Sequence, residues 1–157
     1  VSMIVSKKNK TTGHQFRLKV IEELDGFPGL DTFGKHFKGR GLGYKLDGLK
    51  DYAFSVAMEN AQRDYYFTEK LIDCFATGTV PIYYGCAGIG DIFDTGGMII
   101  FNSVSELKDI LEGLDMELYQ KMLPSVRHNF EMSKRYDLGE NYIYSEYKDL
   151  IENGQNI

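Results

Sequence analysis

A chain of 157 residues, 43% hydrophobic and 26% charged, has the size and composition of one domain with a real hydrophobic core. Its formal net charge of −5 excludes a nucleic-acid partner on composition, since such a partner would need a local basic patch. Two cysteines, Cys74 and Cys86, are too few for a disulfide scaffold and lack metal-ligand spacing, and no apolar run approaches the roughly 18 residues that a membrane segment needs.

The chain opens on Val1, inside the apolar run VSMIV, and not on methionine, which reads as part of something longer. Val1 to Val5 predicts a strand, ended by the polar turn Ser6-Lys7-Lys8-Asn9-Lys10. From His14 the period changes: Phe16, Val20, Ile21 and Leu24 share one helix face, with Arg17 expected in the first turn. Asp25-Gly26 and Pro28-Gly29 end that helix, and Leu30 to Phe33 predicts a short strand. Lys35 to Lys50 is glycine- and charge-rich and reads as a surface loop, with a loop that helps to hold an anion as the alternative. Its glycines come after no strong strand and open no helix, so they make no dinucleotide fingerprint.

The most informative stretch is Tyr52 to Gly85. Tyr52 to Met58 predicts a strand that delivers Glu59 and Asn60 to its carboxyl end. Thr68-Glu69-Lys70 opens an amphipathic helix with Leu71, Ile72, Cys74, Phe75 and Ala76 on its apolar side, stopped at Gly78. VPIYY, Val80 to Tyr84, is the next strand. Beyond a glycine-rich turn, Met98 to Phe101 predicts a buried strand, and Ser103 with Glu106 has capping-box spacing for a helix with the stripe Val104, Leu107, Ile110, Leu111 and Leu114. Asp115 to Tyr136 reads helical with Pro124 expected to kink or divide it, and Asn141 to Asn153 predicts a last helix. Nearly all-apolar strands alternating with helices predict an α/β, Rossmann-like three-layer domain with a mainly parallel sheet. The whole chain, 1–157, is expected to be one such domain, its helices from about 115 forming a C-terminal extension.

In open α/β sheets ligands bind at the carboxyl edge, where the polar residues of this unit lie. A helix N-terminus attracts anions, and Lys70 there is unfavourable to the dipole unless something anionic offsets it. Arg17 occupies the same edge of the neighbouring βα unit; if the two strands are adjacent, Arg17 and Lys70 converge on one anion such as a diphosphate. Asn60 and Glu59 have the chemistry to meet sugar hydroxyls, against the plainer reading of a satisfied loop. Tyr65 and Tyr66 can stack on a nucleotide or simply pack. His14, His36 and His128 lack metal spacing, and Asp91-Ile92-Phe93-Asp94 reads as packing, not as a metal-binding acidic pair.

Phe54 to Asn60, then Tyr66-Phe67-Thr68-Glu69-Lys70, then Gly78-Thr79-Val80-Pro81-Ile82-Tyr83-Tyr84-Gly85 together resemble the donor-binding motif of the α1,3/α1,4-fucosyltransferase family, glycosyltransferase family 10. That motif is a strand ending F-E-N, a short spacer, Y-x-T-E-K and a G-x-x-P strand; Met58 stands where the family usually has Phe. The resemblance covers Val1 to about Ile110 and implies the C-terminal half of a GT-B enzyme that uses GDP-fucose as donor, inverts the anomeric centre and has no tightly bound metal or other cofactor. It implies that Arg17 and Lys70 neutralise the diphosphate, that Asn60, Tyr66 and Glu69 contact ribose or fucose, and that Glu59 is the motif's other acidic residue. The glycan acceptor and the catalytic base would belong to an N-terminal domain, so no residue of this chain is assigned as catalytic. A donor domain for another nucleotide sugar and a non-catalytic nucleotide-binding module are the alternatives. The compartment would be the cytoplasm for a bacterial or viral enzyme and the Golgi lumen for a eukaryotic one.

Overall fold

The computed structural model describes residues 1–6, 8–34 and 41–136. The predicted helix at Asn141 to Asn153, and residues 35–40 of the basic loop, lie outside the described residues. Five strands form one parallel sheet: β1 (Ser2–Ile4), β2 (Asp31–Phe33), β3 (Phe54–Met58), β4 (Val80–Tyr84) and β5 (Ile99–Ile100), in the order β2-β1-β3-β4-β5. The chain runs outward from β1 to β2, returns across β1 to β3, and continues outward through β4 to β5. That reversal puts the topological switch point between β1 and β3.

Four helices cover the sheet: α1 (Thr12–Glu23), α2 (Glu69–Ala76), α3 (Val104–Glu112) and α4 (Met116–Ser133). Right-handed crossovers in opposite directions place α1 and α2 on opposite faces. Accordingly α1 packs with α3 and α2 with α4, giving the three layers of a Rossmann-like α/β domain. On the first face Phe16, Tyr84 and Phe101 stack, with ring centroids 4.6 Å apart for Phe16–Tyr84 and 5.8 Å for Tyr84–Phe101. On the second, Phe75 and Phe93 lie 5.2 Å apart beneath α2. Every residue of β3 and β4 is buried, as expected of central strands covered on both sides.

The structure corrects the expected elements at three points. Helix α1 starts at Thr12, not at His14, because Thr11 and His14 make a reciprocal cap: the Thr11 hydroxyl accepts from His14 N–H and His14 Nδ1 accepts from Thr11 N–H, both at 3.2 Å. Arg17 is therefore the sixth helical residue and sits in the second turn, not the first. Of the two outcomes expected at Pro124, a kink or a division, the division does not occur, since α4 continues through it; Gln120 and Pro124 are both outside the core, so water can serve the carbonyl that loses its donor. Strand β5 is the sheet edge with Ile100 44% exposed, while the flanking Met98 and Phe101 are the buried residues of that run.

Helix starts obey the expected chemistry. Thr68, Ser103 and Asp115 each cap a helix with a side-chain oxygen. Glu106 completes the Ser103 cap one residue early, accepting from Asn102 N–H at 2.6 Å. After α1, Gly26 and Gly29 take left-handed φ values of 76° and 80°, turning the chain back into β2.

Candidate functional site

Directly above the switch point, a cavity of about 330 Å³ opens at the carboxyl edge of the sheet. Val5 and Ser6 line it from the end of β1, Asn60 from the end of β3, Arg17 from α1, Glu69 and Lys70 from α2, and Lys45 from a 3₁₀ turn at Lys45–Gly48. Strands β1 and β3 are neighbours, so the condition for Arg17 and Lys70 to meet is satisfied: both line this one cavity. A second, larger groove near Tyr65, Phe67 and Tyr136 includes Glu69 and Asp73 and, among the described residues, no cation. Its chemistry does not suit a phosphate.

Arg17 is only 3% exposed. Its Nη2 lies 3.5 Å from the Ser6 hydroxyl, and its Nε has no hydrogen-bond partner among the described residues. No described carboxylate comes within ion-pair distance of it. Burial pulls the guanidinium pKa down, and the negative charge of Glu59 works against that pull. Enclosing a cation without a close counter-ion costs several kcal/mol, roughly. A side chain held this way is best satisfied by an anion in the cavity it lines.

Lys70 is the second residue of α2, and its side chain is 23% exposed. Its Nζ donates to Glu59 Oε2 at 3.1 Å and to the Thr68 hydroxyl at 2.7 Å. Glu59 is fully buried, and its carboxylate also accepts from Thr68 N–H at 2.8 Å and from the Thr68 hydroxyl. The ammonium group is thus tethered at the start of a helix whose own N–H groups favour negative charge.

The remaining expected residues divide. Asn60 lines the cavity, and its carbonyl accepts from Gly13 N–H at 3.1 Å and from the Thr11 hydroxyl. It therefore pins the start of α1 to the end of β3. Glu69 lies at the rim with its side chain 64% exposed, 3.5 Å from Lys70 Nζ and 3.8 Å from Lys45 Nζ. Burial alone would raise the Glu69 carboxyl, but Lys70, Lys45 and a hydrogen bond from Thr68 together bring it below the usual range. Tyr66 is partly buried and does not line the cavity; Tyr65 before it is 73% exposed with φ 58°.

Two residues lining the cavity were not singled out from the sequence. Ser6 and Lys8 line the cavity but read as an ordinary turn, although applying the carboxyl-edge rule to β1 as well as β3 would have found them. Lys45, also ion-paired with Asp73, belongs to the basic loop for which holding an anion was the alternative reading, and it lines the cavity. Buried His14, beside the site, has an Nε2 without a hydrogen-bond partner among the described residues; burial first, and the nearby Arg17 charge second, push its pKa down. Cys74 is core, as its place on the helix implied, with burial pushing its thiol up to about 12. Phe93 is likewise core, and Asp94 caps a turn by accepting from Gly96 N–H at 2.8 Å. Among the described residues no three His, Cys, Asp or Glu side chains cluster as metal ligands, and no helix is long and apolar enough to cross a membrane.

Comparison with known proteins identifies the family and the fold. The family model for the C-terminal part of glycosyltransferase family 10 (fucosyltransferase) matches residues 1–147. The chain is 29% identical over 121 residues to the alpha-(1,3)-fucosyltransferase FucT of Helicobacter pylori, covering 75% of this chain and 24% of that protein. It is 31% identical over 113 residues to GDP-fucose protein O-fucosyltransferase 3 of Bos taurus, covering 62% of this chain and 24% of that protein. The chain thus spans about a quarter of the length of these relatives. Crystal structures of alpha1,3-fucosyltransferase with GDP-fucose and with GDP share its fold, with TM-scores of 0.64 and 0.65, identities of 24% and 22%, and coverage of 78% and 85% of this chain but only 37% and 43% of theirs. A parallel 2-1-3-4-5 sheet, the E-N and T-E-K residues gathered at its switch point, and a family match across nearly the whole length lead to one conclusion: the chain belongs to glycosyltransferase family 10, the fucosyltransferases, within that family's C-terminal part.

Proposed function

We propose that this chain is the donor-binding domain of a fucosyltransferase and that it holds the diphosphate of GDP-fucose between Arg17 and Lys70. The observation that carries the reading is the enclosed Arg17, without a close carboxylate among the described residues, lining the same cavity as Lys70 at the switch point. Two cations fixed before the ligand arrives can stabilise the charge that grows on GDP as its bond to fucose breaks. They do so without reorganisation, and no tightly bound metal is required in this reading. Asn60 and Glu69, both lining the cavity, supply the polar contacts for ribose or fucose. Tyr66 is proposed as a further donor contact that acts from beside the cavity.

Residues 1–157 act in this reading as one nucleotide-sugar domain, with α4 and the residues beyond it as a C-terminal extension. Inverting transfer needs a base within reach of the acceptor hydroxyl: the hydroxyl oxygen forms the new bond, its proton passes to the base, and GDP departs from the opposite side. That base and the glycan-binding surface are assigned to an N-terminal domain of the complete enzyme.

Calorimetric titration with GDP, UDP and ADP tests the donor. GDP should bind most tightly, and Lys70→Ala and Arg17→Ala should each weaken it about 30-fold, the value of a charge-assisted contact to phosphate. Preference for UDP or ADP would overturn the GDP-fucose assignment, and indifference to both substitutions would overturn the site.

A further inference from the structure

Glu59 belongs to the motif, yet it faces the protein. It is fully buried, and both carboxylate oxygens are engaged: Oε1 accepts from Thr68 N–H at 2.8 Å and Oε2 from Lys70 Nζ at 3.1 Å, with the Thr68 hydroxyl 2.8 Å from Oε2. Its N–H donates to Tyr84 O at 2.8 Å, extending the β3–β4 ladder by one residue and fixing where the side chain emerges. Gly85 leaves room for it, since a Cβ there would stand 2.7 Å from Glu59 Cγ. Thr68 and Lys70, from the later piece of the motif, are thus the side-chain partners of this buried carboxylate, and Gly85 leaves space beside its stem.

Resting on the donor-site reading above, we propose that Glu59 is a positioning residue that does not touch the nucleotide sugar: its carboxylate aims the Lys70 ammonium group at the diphosphate. Lys70 has few constraints of its own. It is a flexible point charge on a long stem, and at 23% exposure it could swing into water. The anchor beneath it removes that freedom before the ligand binds, so the ordering cost is not met at binding. A formal negative charge near a phosphate site would ordinarily repel the ligand. Here it is matched on its solvent side by Lys70 and lies within electrostatic influence of Arg17, so the cavity still presents net positive charge. Losing the aim outweighs losing the repulsion, because a misdirected lysine forfeits a whole charge-assisted contact.

A double-mutant cycle on the full chain tests this, with the Kd of GDP and of inorganic pyrophosphate measured by calorimetry and, for weak variants, by NMR titration. Glu59→Gln, which keeps the shape and removes the charge, should weaken GDP and pyrophosphate alike, by about tenfold. In a Lys70→Ala background the same substitution should change either Kd less than about twofold, because the residue it acts through is gone. An effect on GDP but not on pyrophosphate would mean that Glu59 contacts the nucleoside or sugar, and an effect that persists in Lys70→Ala would mean a general structural role; either overturns the proposal. Should Glu59→Gln fail to fold, Thr68→Val removes the hydroxyl bridge while keeping the carboxylate. It should reproduce a smaller loss that again disappears in Lys70→Ala, and no loss from it overturns the proposal. If wild-type protein binds neither ligand, the donor-site reading fails first, which separates the two failures.

Discussion

Arg17 carries a charge that the fold has almost wholly enclosed, and the compensation it finds among the described residues is one long hydrogen bond to Ser6 and the more distant field of Glu59. Such a residue works against folding, and the proposed diphosphate would offset that cost. Replacing it with an apolar side chain of similar length separates the two effects. Arg17→Met should raise stability by about 1–2 kcal/mol, in line with buried charges replaced by packed apolar groups. The same variant should lose most of its GDP affinity. Thermal unfolding with and without GDP checks both: the unliganded Tm should rise and the ligand-induced shift should shrink. The residue type and its place after the first strand were legible in the sequence. Its burial was not, because a helical arginine early in an element is usually solvated. The Asn60 carbonyl, which ties the start of α1 to the end of β3, is a long-range contact that the helix's own sequence does not show. Glu59 teaches the same lesson: spacing identified it as a motif member, but not which way its carboxylate points.

At the scale of elements, two helix starts meeting two strand ends define the site. Helix α1 reaches β3 closely enough that a Cβ on Gly13 would lie 2.5 Å from the carbonyl groups of Glu59 and Asn60. Backbone cannot yield there as a flexible side chain would. Gly13→Ala should therefore cost about 1–3 kcal/mol and shift α1 away from β3, taking Arg17 with it. GDP affinity should fall together with Tm, while Gly41→Ala, with open space around its new methyl, should change neither. Element identities were readable from hydrophobic period and caps. Their ends were less so: the His14 ring takes a capping role usually filled by Glu or Gln, which hid the true start of α1. Pro124 leaves α4 undivided, since its position outside the core lets water replace the missing bond.

For the molecule as a whole, strand order places the candidate site, because it brings the ends of β1 and β3 side by side. Local sequence reveals strands but not which of them pair, since that choice is settled by long-range packing of α1 with α3 and of α2 with α4. The expectation that Arg17 and Lys70 share a ligand was therefore conditional until the sheet order was known. With the order in place, the central claim concerns one location in space. A crystal structure of the GDP complex tests it most directly. The account predicts both phosphorus atoms above the β1–β3 switch point, with phosphate oxygens within hydrogen-bond distance of the Arg17 guanidinium and of Lys70 Nζ. A diphosphate seated instead in the groove beside Tyr65, Phe67 and Tyr136, with Arg17 untouched, would contradict it.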